Sequence, residues 1–169
     1  MSLFRELLEG FTSGVIEGAA NHLAGLGSRV EEYGRVERLC AAIGWTVDER
    51  SGNMVALHFK DPLVGTRKVM VSDGDGPLVV LSAVSHAIHP ARLVPEQVAG
   101  NLLIRNWNLD IGAWEATVDR DGDAIFRVTY SALGAGLDAH SFKYICERLA
   151  NEALAFDRSM QAAGLLAAR

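Results

Sequence analysis

Residues Asn101–Phe156, NLLIRNWNLDIGAWEATVDRDGDAIFRVTYSALGAGLDAHSFKYICERLANEALAF, decide the fold. They read as the end of a helix, a tight β-hairpin and a long amphipathic helix. Trp114, Ala116 and Val118 alternate with Glu115 and Thr117; Phe126, Val128 and Tyr130 alternate with Ile125, Arg127 and Thr129. Asp121-Gly122 between two such period-2 runs marks a hairpin, because the turn needs a positive φ that glycine adopts without a steric penalty. The helix that follows sets Phe142, Ile145, Cys146, Leu149, Ala153, Phe156 and Met160 on one stripe. A half-buried sheet face and an apolar helix face thus arise in one segment, and each can cover the other.

Working outward, the flanking sequence predicts a helix over residues 3–23, with Leu3, Phe4, Leu7, Leu8, Phe11, Val15, Ile16, Ala19 and Leu23 at helical spacing. Gly10, Gly14 and Gly18 recur every four residues within it. Each glycine costs up to about 1 kcal/mol of helix stability relative to alanine. In return, such a stripe lets another backbone approach closely, either from the same domain or from a partner. Gly25-Leu26-Gly27-Ser28 breaks the pattern. A second helix is expected over about 29–43, with Val30, Tyr33, Val36, Leu39, Cys40 and Ile43 inward. Four strands follow, Trp45–Arg50, Met54–Lys60, Arg67–Ser72 and Leu78–Val84. The last is apolar at nearly every position, as in a central strand covered on both faces. Residues 85–93 read as a loop or irregular strand end. A helix then runs from Pro95 to about Trp107, with Val98, Leu102 and Leu103 as core contacts.

The expected fold class is therefore α+β: a mainly antiparallel sheet with helices packed against it, in the order α-α-β-β-β-β-α-β-β-α. Residues 1–27 form an N-terminal amphipathic extension and residues 28–163 a single domain. At 169 residues the chain can bury a full core without metal or disulfide. Its net charge of -5 argues against a nucleic-acid partner, which calls for a basic face. The N-terminus lacks a basic region followed by an unbroken apolar core, and no run reaches the ~18 apolar residues of a membrane span. A cytoplasmic, membrane-free protein is expected, with Cys40 and Cys146 as buried free thiols.

Catalytic chemistry finds little support in these residues. His86 and His89 are three apart but have no cysteine or carboxylate beside them to complete a zinc site. Calcium loops counted from Asp119 and Asp73 place Ala124 and Leu78 where glycine is needed, and Tyr130 and Val84 where a bidentate glutamate is needed. Nucleophile elbows, P-loops and dinucleotide fingerprints are absent from the sequence. No enzyme, cofactor or metal is expected. Trp45, Trp107 and Trp114 lie near the ends of elements, where tryptophan can anchor a protein interface. With Gly10, Gly14 and Gly18 they are the candidate binding residues. The rival reading is a small-molecule binder or enzyme built on the loop with His86, His89 and Arg92.

Asn106-Trp107-Asn108, the strand with Trp114, the Asp121-Gly122 turn, the Phe126–Tyr130 strand and the closing helix ending in Phe156 resemble the YbjN family of bacterial proteins. That family shares the type III secretion chaperone-like fold, and the resemblance covers roughly residues 30–160. It implies a small acidic homodimer whose surface holds an extended segment of another protein. For YbjN-like proteins it implies an interaction or regulatory role without enzymatic activity.

Overall fold

The computed structural model describes residues 34–61, 65–73 and 76–166. Gly10, Gly14, Gly18 and the expected helix over 3–23 lie outside the described residues. Helix α1 (Arg35–Ala42) leads into strands β1 (Glu49–Ser51), β2 (Met54–Asp61), β3 (Gly65–Asp73) and β4 (Leu78–Pro90). A 3₁₀ turn, Ala91–Leu93, precedes helix α2 (Glu96–Asn108). The hairpin of β5 (Ala113–Val118) and β6 (Asp123–Leu133) follows, then helix α3 (Ala139–Ala162). Every strand pair is antiparallel, in the order β1-β2-β3-β4-β6-β5. The α+β class and the order of the described elements are those the periodicities predict.

The inner face of the sheet carries Val55 and Leu57, Val69 and Val71, Val79 and Leu81, then Phe126 and Val128. Helix α3 lies over β3, β4 and β6, and α1 leans on α3 and β3. All seven residues of the predicted α3 stripe are buried there. Asp138 starts this helix, accepting hydrogen bonds from the N–H groups of His140 and Ser141 at 2.9 Å. Those bonds, chiefly from the Ser141 backbone and hydroxyl, hold the Asp138 carboxyl below its ordinary pKa. At the hairpin turn Gly122 has φ 83°, while Asp119 Oδ1 accepts from the N–H groups of Asp121 and Asp123. At the far end of β6, Arg35 of α1 occupies the space above Gly134; a Cβ there would fall 1.5 Å from its guanidinium.

Two expectations are corrected, and between the loop and the irregular strand end read for residues 85–93 the structure decides for the strand over 85–90. The strand predicted over Trp45–Arg50 shrinks to Glu49–Ser51, because the Trp45 N–H still bonds to Cys40 O at 2.8 Å as the chain leaves α1. Residues 85–90 continue β4 as a strand with a bulge. Leu103 is exposed, because α2 meets the core through Val98 and Leu102 on its opposite side. Cys40 and Cys146 are both buried and unpaired. Burial, then the charges of Glu37 and Asp48, pushes the Cys40 thiol up to about 11, and burial raises Cys146 as well. Neither forms thiolate at neutral pH, so a thiol reagent is expected to modify no cysteine in the native protein and two after denaturation. One fast-reacting native thiol would contradict this placement.

Candidate protein-binding surfaces

Helix α2 sets Val98, Leu102 and Arg105 toward the body of the protein. The Arg105 guanidinium lies 5.6 Å from the Phe156 ring and pairs with Glu152 of α3 at 2.7 Å. The other side of the same helix carries Gly100, Leu103, Ile104 and Trp107, at i, i+3, i+4 and i+7. Leu103 is 72% exposed, Ile104 66% and Trp107 89%. Leu103, Ile104 and Trp107 make one outward apolar stripe on a helix that is already anchored, a candidate contact surface. The sequence pattern holds both stripes; only the packing shows which one faces water.

The three tryptophans have different fates. Trp114 is buried, its ring 4.5 Å from Phe156 and its indole N–H donating to Glu152 at 3.0 Å. Its backbone N–H donates to Asn106 Oδ1 at 2.6 Å, and its carbonyl accepts from Asn106 Nδ2 at 3.0 Å. One side chain of α2 thus behaves as a single residue of an added strand on the open edge of β5, fixing α2 against the sheet. Trp107, the next residue, is left pointing outward. Trp45 lines a groove at the other end of the sheet.

That groove, about 450 Å³, runs beside β2 where β1 stops. The β1 ladder covers only Met54–Ala56. Beyond it, the N–H of His58 faces the open side and is taken by the Asp48 carboxylate at 2.7 Å. By the period of two, the backbone groups of Lys60 face the same side. Trp45, Leu57 and Phe59 supply apolar wall; Asp48, His58, Lys60 and Glu147 supply charge. Trp45 and Phe59 meet edge to face, with centroids 5.4 Å apart.

His86 and His89 do not converge on a common site. His86 lies in the β4 bulge with its ring nitrogens 2.8 and 2.9 Å from Arg67 NH1, while His89 tilts over Phe126 with centroids 6.3 Å apart. Among the described residues no three His, Cys, Asp or Glu side chains gather as a metal set would. None of the described helices is long and apolar enough to cross a membrane.

Beneath the bulge is a polar centre that the sequence reading passed over. Val84 pairs with Arg127 and Ile88 with Ile125, so Ser85, His86 and Ala87 stand opposite Phe126 alone. The backbone groups this frees are met from α3 by Asp157. Its carboxylate accepts from the N–H of His86 at 3.1 Å and from the Ser85 hydroxyl, and it pairs with the buried Arg67. Ser85 Oγ in turn accepts from the Ala87 N–H at 2.9 Å. The signal was present in the sequence: Arg67 occupies an inward position of β3, and Asp157 sits inside the apolar stripe of α3. Two opposite charges at inward positions mark a buried pair.

No family model matches this chain, and no curated protein matches it. Solved structures do. YbjN from E. coli superposes with a TM-score of 0.57 at 15% identity, covering 79% of this chain and 93% of that one. The type III secretion chaperone SycH of Yersinia pestis, in complex with a fragment of YscM2, gives 0.51 at 11% identity, covering 74% and 98%. A chain of the HopA1–SchA chaperone–effector complex gives 0.51 at 10% identity, covering 75% and 95%. Sheet order, helix placement and these superpositions agree: the chain has the type III secretion chaperone-like fold.

Proposed function

We propose that this is a non-catalytic protein-binding domain with a chaperone-like or regulatory role, which holds a segment of a partner protein and works as a homodimer. The carrying observation is the outward stripe of α2, where Leu103, Ile104 and Trp107 stand in water on an anchored helix. A second copy using the same stripe would cover it by two-fold symmetry. The groove beside β2 supports the other half of the reading. The β2 edge beyond Ala56, which no described strand covers, and the Trp45–Phe59 wall suit an extended peptide, held by added-strand hydrogen bonds and side-chain anchors. SycH and SchA, which share the fold, are seen in complexes with protein partners.

Sedimentation equilibrium tests the dimer. The wild-type chain is expected to be dimeric at tens of micromolar. Trp107→Asp, which sets a charge in the middle of the stripe, is expected to weaken association at least ~30-fold, the loss of about 2 kcal/mol that defines an interface hot spot. A wild-type protein that stays monomeric at those concentrations overturns the dimer reading.

A further inference from the structure

Where the described strands run out on either side of the sheet, a side chain stands in for the next one. On β5 it is Asn106, which takes both the N–H and the carbonyl of Trp114 from a helix that Arg105 anchors to α3. On β2 it is Asp48. Strand β1 covers Met54–Ala56 and leaves Leu57–Asp61, about 17 Å of backbone, with no described strand beside it. At the first outward position of that stretch the Asp48 carboxylate accepts from the His58 N–H at 2.7 Å, where the carbonyl of an added strand would sit. The two side chains hold their edges unequally. Asn106 makes two bonds from an anchored helix. Asp48 is exposed, holds the edge by the His58 bond alone, and has no cation paired with it among the described residues. Its own backbone N–H is fixed to the Ala56 carbonyl at 3.1 Å. Rotation about the Asp48 Cα–Cβ bond therefore releases the His58 N–H without moving the chain.

We infer, on the reading of this groove as the peptide site, that Asp48 is its latch and that the segment it admits is extended and carries a basic residue. An added strand has to bring a carbonyl to the His58 N–H, so the carboxylate leaves that bond before the ladder extends. The displaced carboxylate stays beside the groove, now covered by the peptide. A covered charge without a partner weakens binding, so a segment that brings a lysine or arginine to Asp48 is favoured and one that brings another carboxylate is rejected. The rest of the wall agrees. Glu147 adds a second carboxylate, against one ammonium from Lys60. Its pairing with Lys143, at 3.8 Å, is long for an ion pair. The Trp45 ring already receives a cation, with the Lys143 ammonium 6.0 Å from its centroid. Beside it, Phe59 extends an apolar wall that suits the aliphatic stem of a long basic side chain.

Fluorescence polarisation of the full chain with two labelled hexapeptides of identical composition tests this. In Glu-Thr-Val-Lys-Val-Thr the lysine is central; in Lys-Thr-Val-Glu-Val-Thr the two charges are exchanged, so net charge cannot produce a difference. The wild type is expected to bind the lysine-centred peptide at least ~10-fold tighter, as a covered charge pair requires. Asp48→Asn keeps an acceptor for the His58 N–H and loses the charge, and the preference is expected to fall below about 3-fold. Asp48→Ala removes the acceptor as well. Both peptides are then expected to bind roughly 3–10-fold tighter than to Asp48→Asn, the worth of one hydrogen bond no longer contested. Because Asp48 is exposed, both variants are expected to fold as the wild type does. A full preference surviving in Asp48→Asn, a preference for the glutamate-centred peptide, or equal binding by the two variants overturns the latch and leaves the groove as a peptide site. No binding of either peptide to any of the three proteins at millimolar concentration overturns the groove reading and the latch with it.

Discussion

Asp157→Ala is expected to remove about 3–5 kcal/mol of stability, the usual penalty for breaking a buried ion pair from one side. The Arg67 guanidinium would be left buried without the Asp157 charge, since Arg67 and Asp157 have side-chain exposures of 1% and 0%. The same carboxylate also receives the His86 N–H and the Ser85 hydroxyl, so three groups lose their acceptor at once. For a domain of this size each kcal/mol is roughly 2–4 °C in Tm, so a fall of about 10 °C is expected. Urea unfolding should show a lower midpoint with an unchanged slope. Ordinary buried pairs can often be exchanged for apolar residues at little cost. Here the double change Arg67→Met, Asp157→Leu is expected to recover only part of the loss, because the bulge amide of His86 still lacks its acceptor. A loss below about 1 kcal/mol for Asp157→Ala, or full recovery in the double variant, would show that the cluster is not what holds the β4 bulge against α3.

Trp114→Ala is expected to cost about 3–5 kcal/mol, the range for deleting a large aromatic from a packed core. The side chain fills the space between β5 and α3 against Phe156, and its indole shares Glu152 with Arg105. Its removal opens a cavity and takes one of the two donors from Glu152. Trp107→Ala, seven residues away, is expected to change the stability of the monomer by no more than about 0.5 kcal/mol, since an exposed side chain without special contacts contributes little to folding. Both unfolding curves belong at protein concentrations low enough to keep the chain monomeric, because self-association adds stability by mass action. Equal losses for the two variants would sink the assignment of Trp114 to the core and Trp107 to the surface.

That contrast marks the division between local pattern and tertiary context. Element order, the antiparallel α+β class, the inward residues of α3 and the buried cysteines were legible because they follow from periodicity and turn chemistry, which act over a few residues. Trp114 and Trp107 were equivalent at that level: both are tryptophans near element ends. Their fates diverge because the Trp114 ring packs against Phe156 of α3, whereas Asn106 clamps the backbone edge of β5 and leaves the next residue, Trp107, facing water. Ala116 and Val118 continue the alternation begun by Trp114, yet they are exposed. Alternation names the side of a strand; only the reach of a covering helix decides whether that side is dry. The Arg67–Asp157 centre is the same case in polar form, since its partners are 90 positions apart in sequence and meet through the β4 bulge. What the sequence determined by itself is which residues share a face. Which faces are covered, which stripe of α2 meets water and where β1 stops along β2 were decided by non-local packing, because burial is a property of two surfaces and local sequence describes only one.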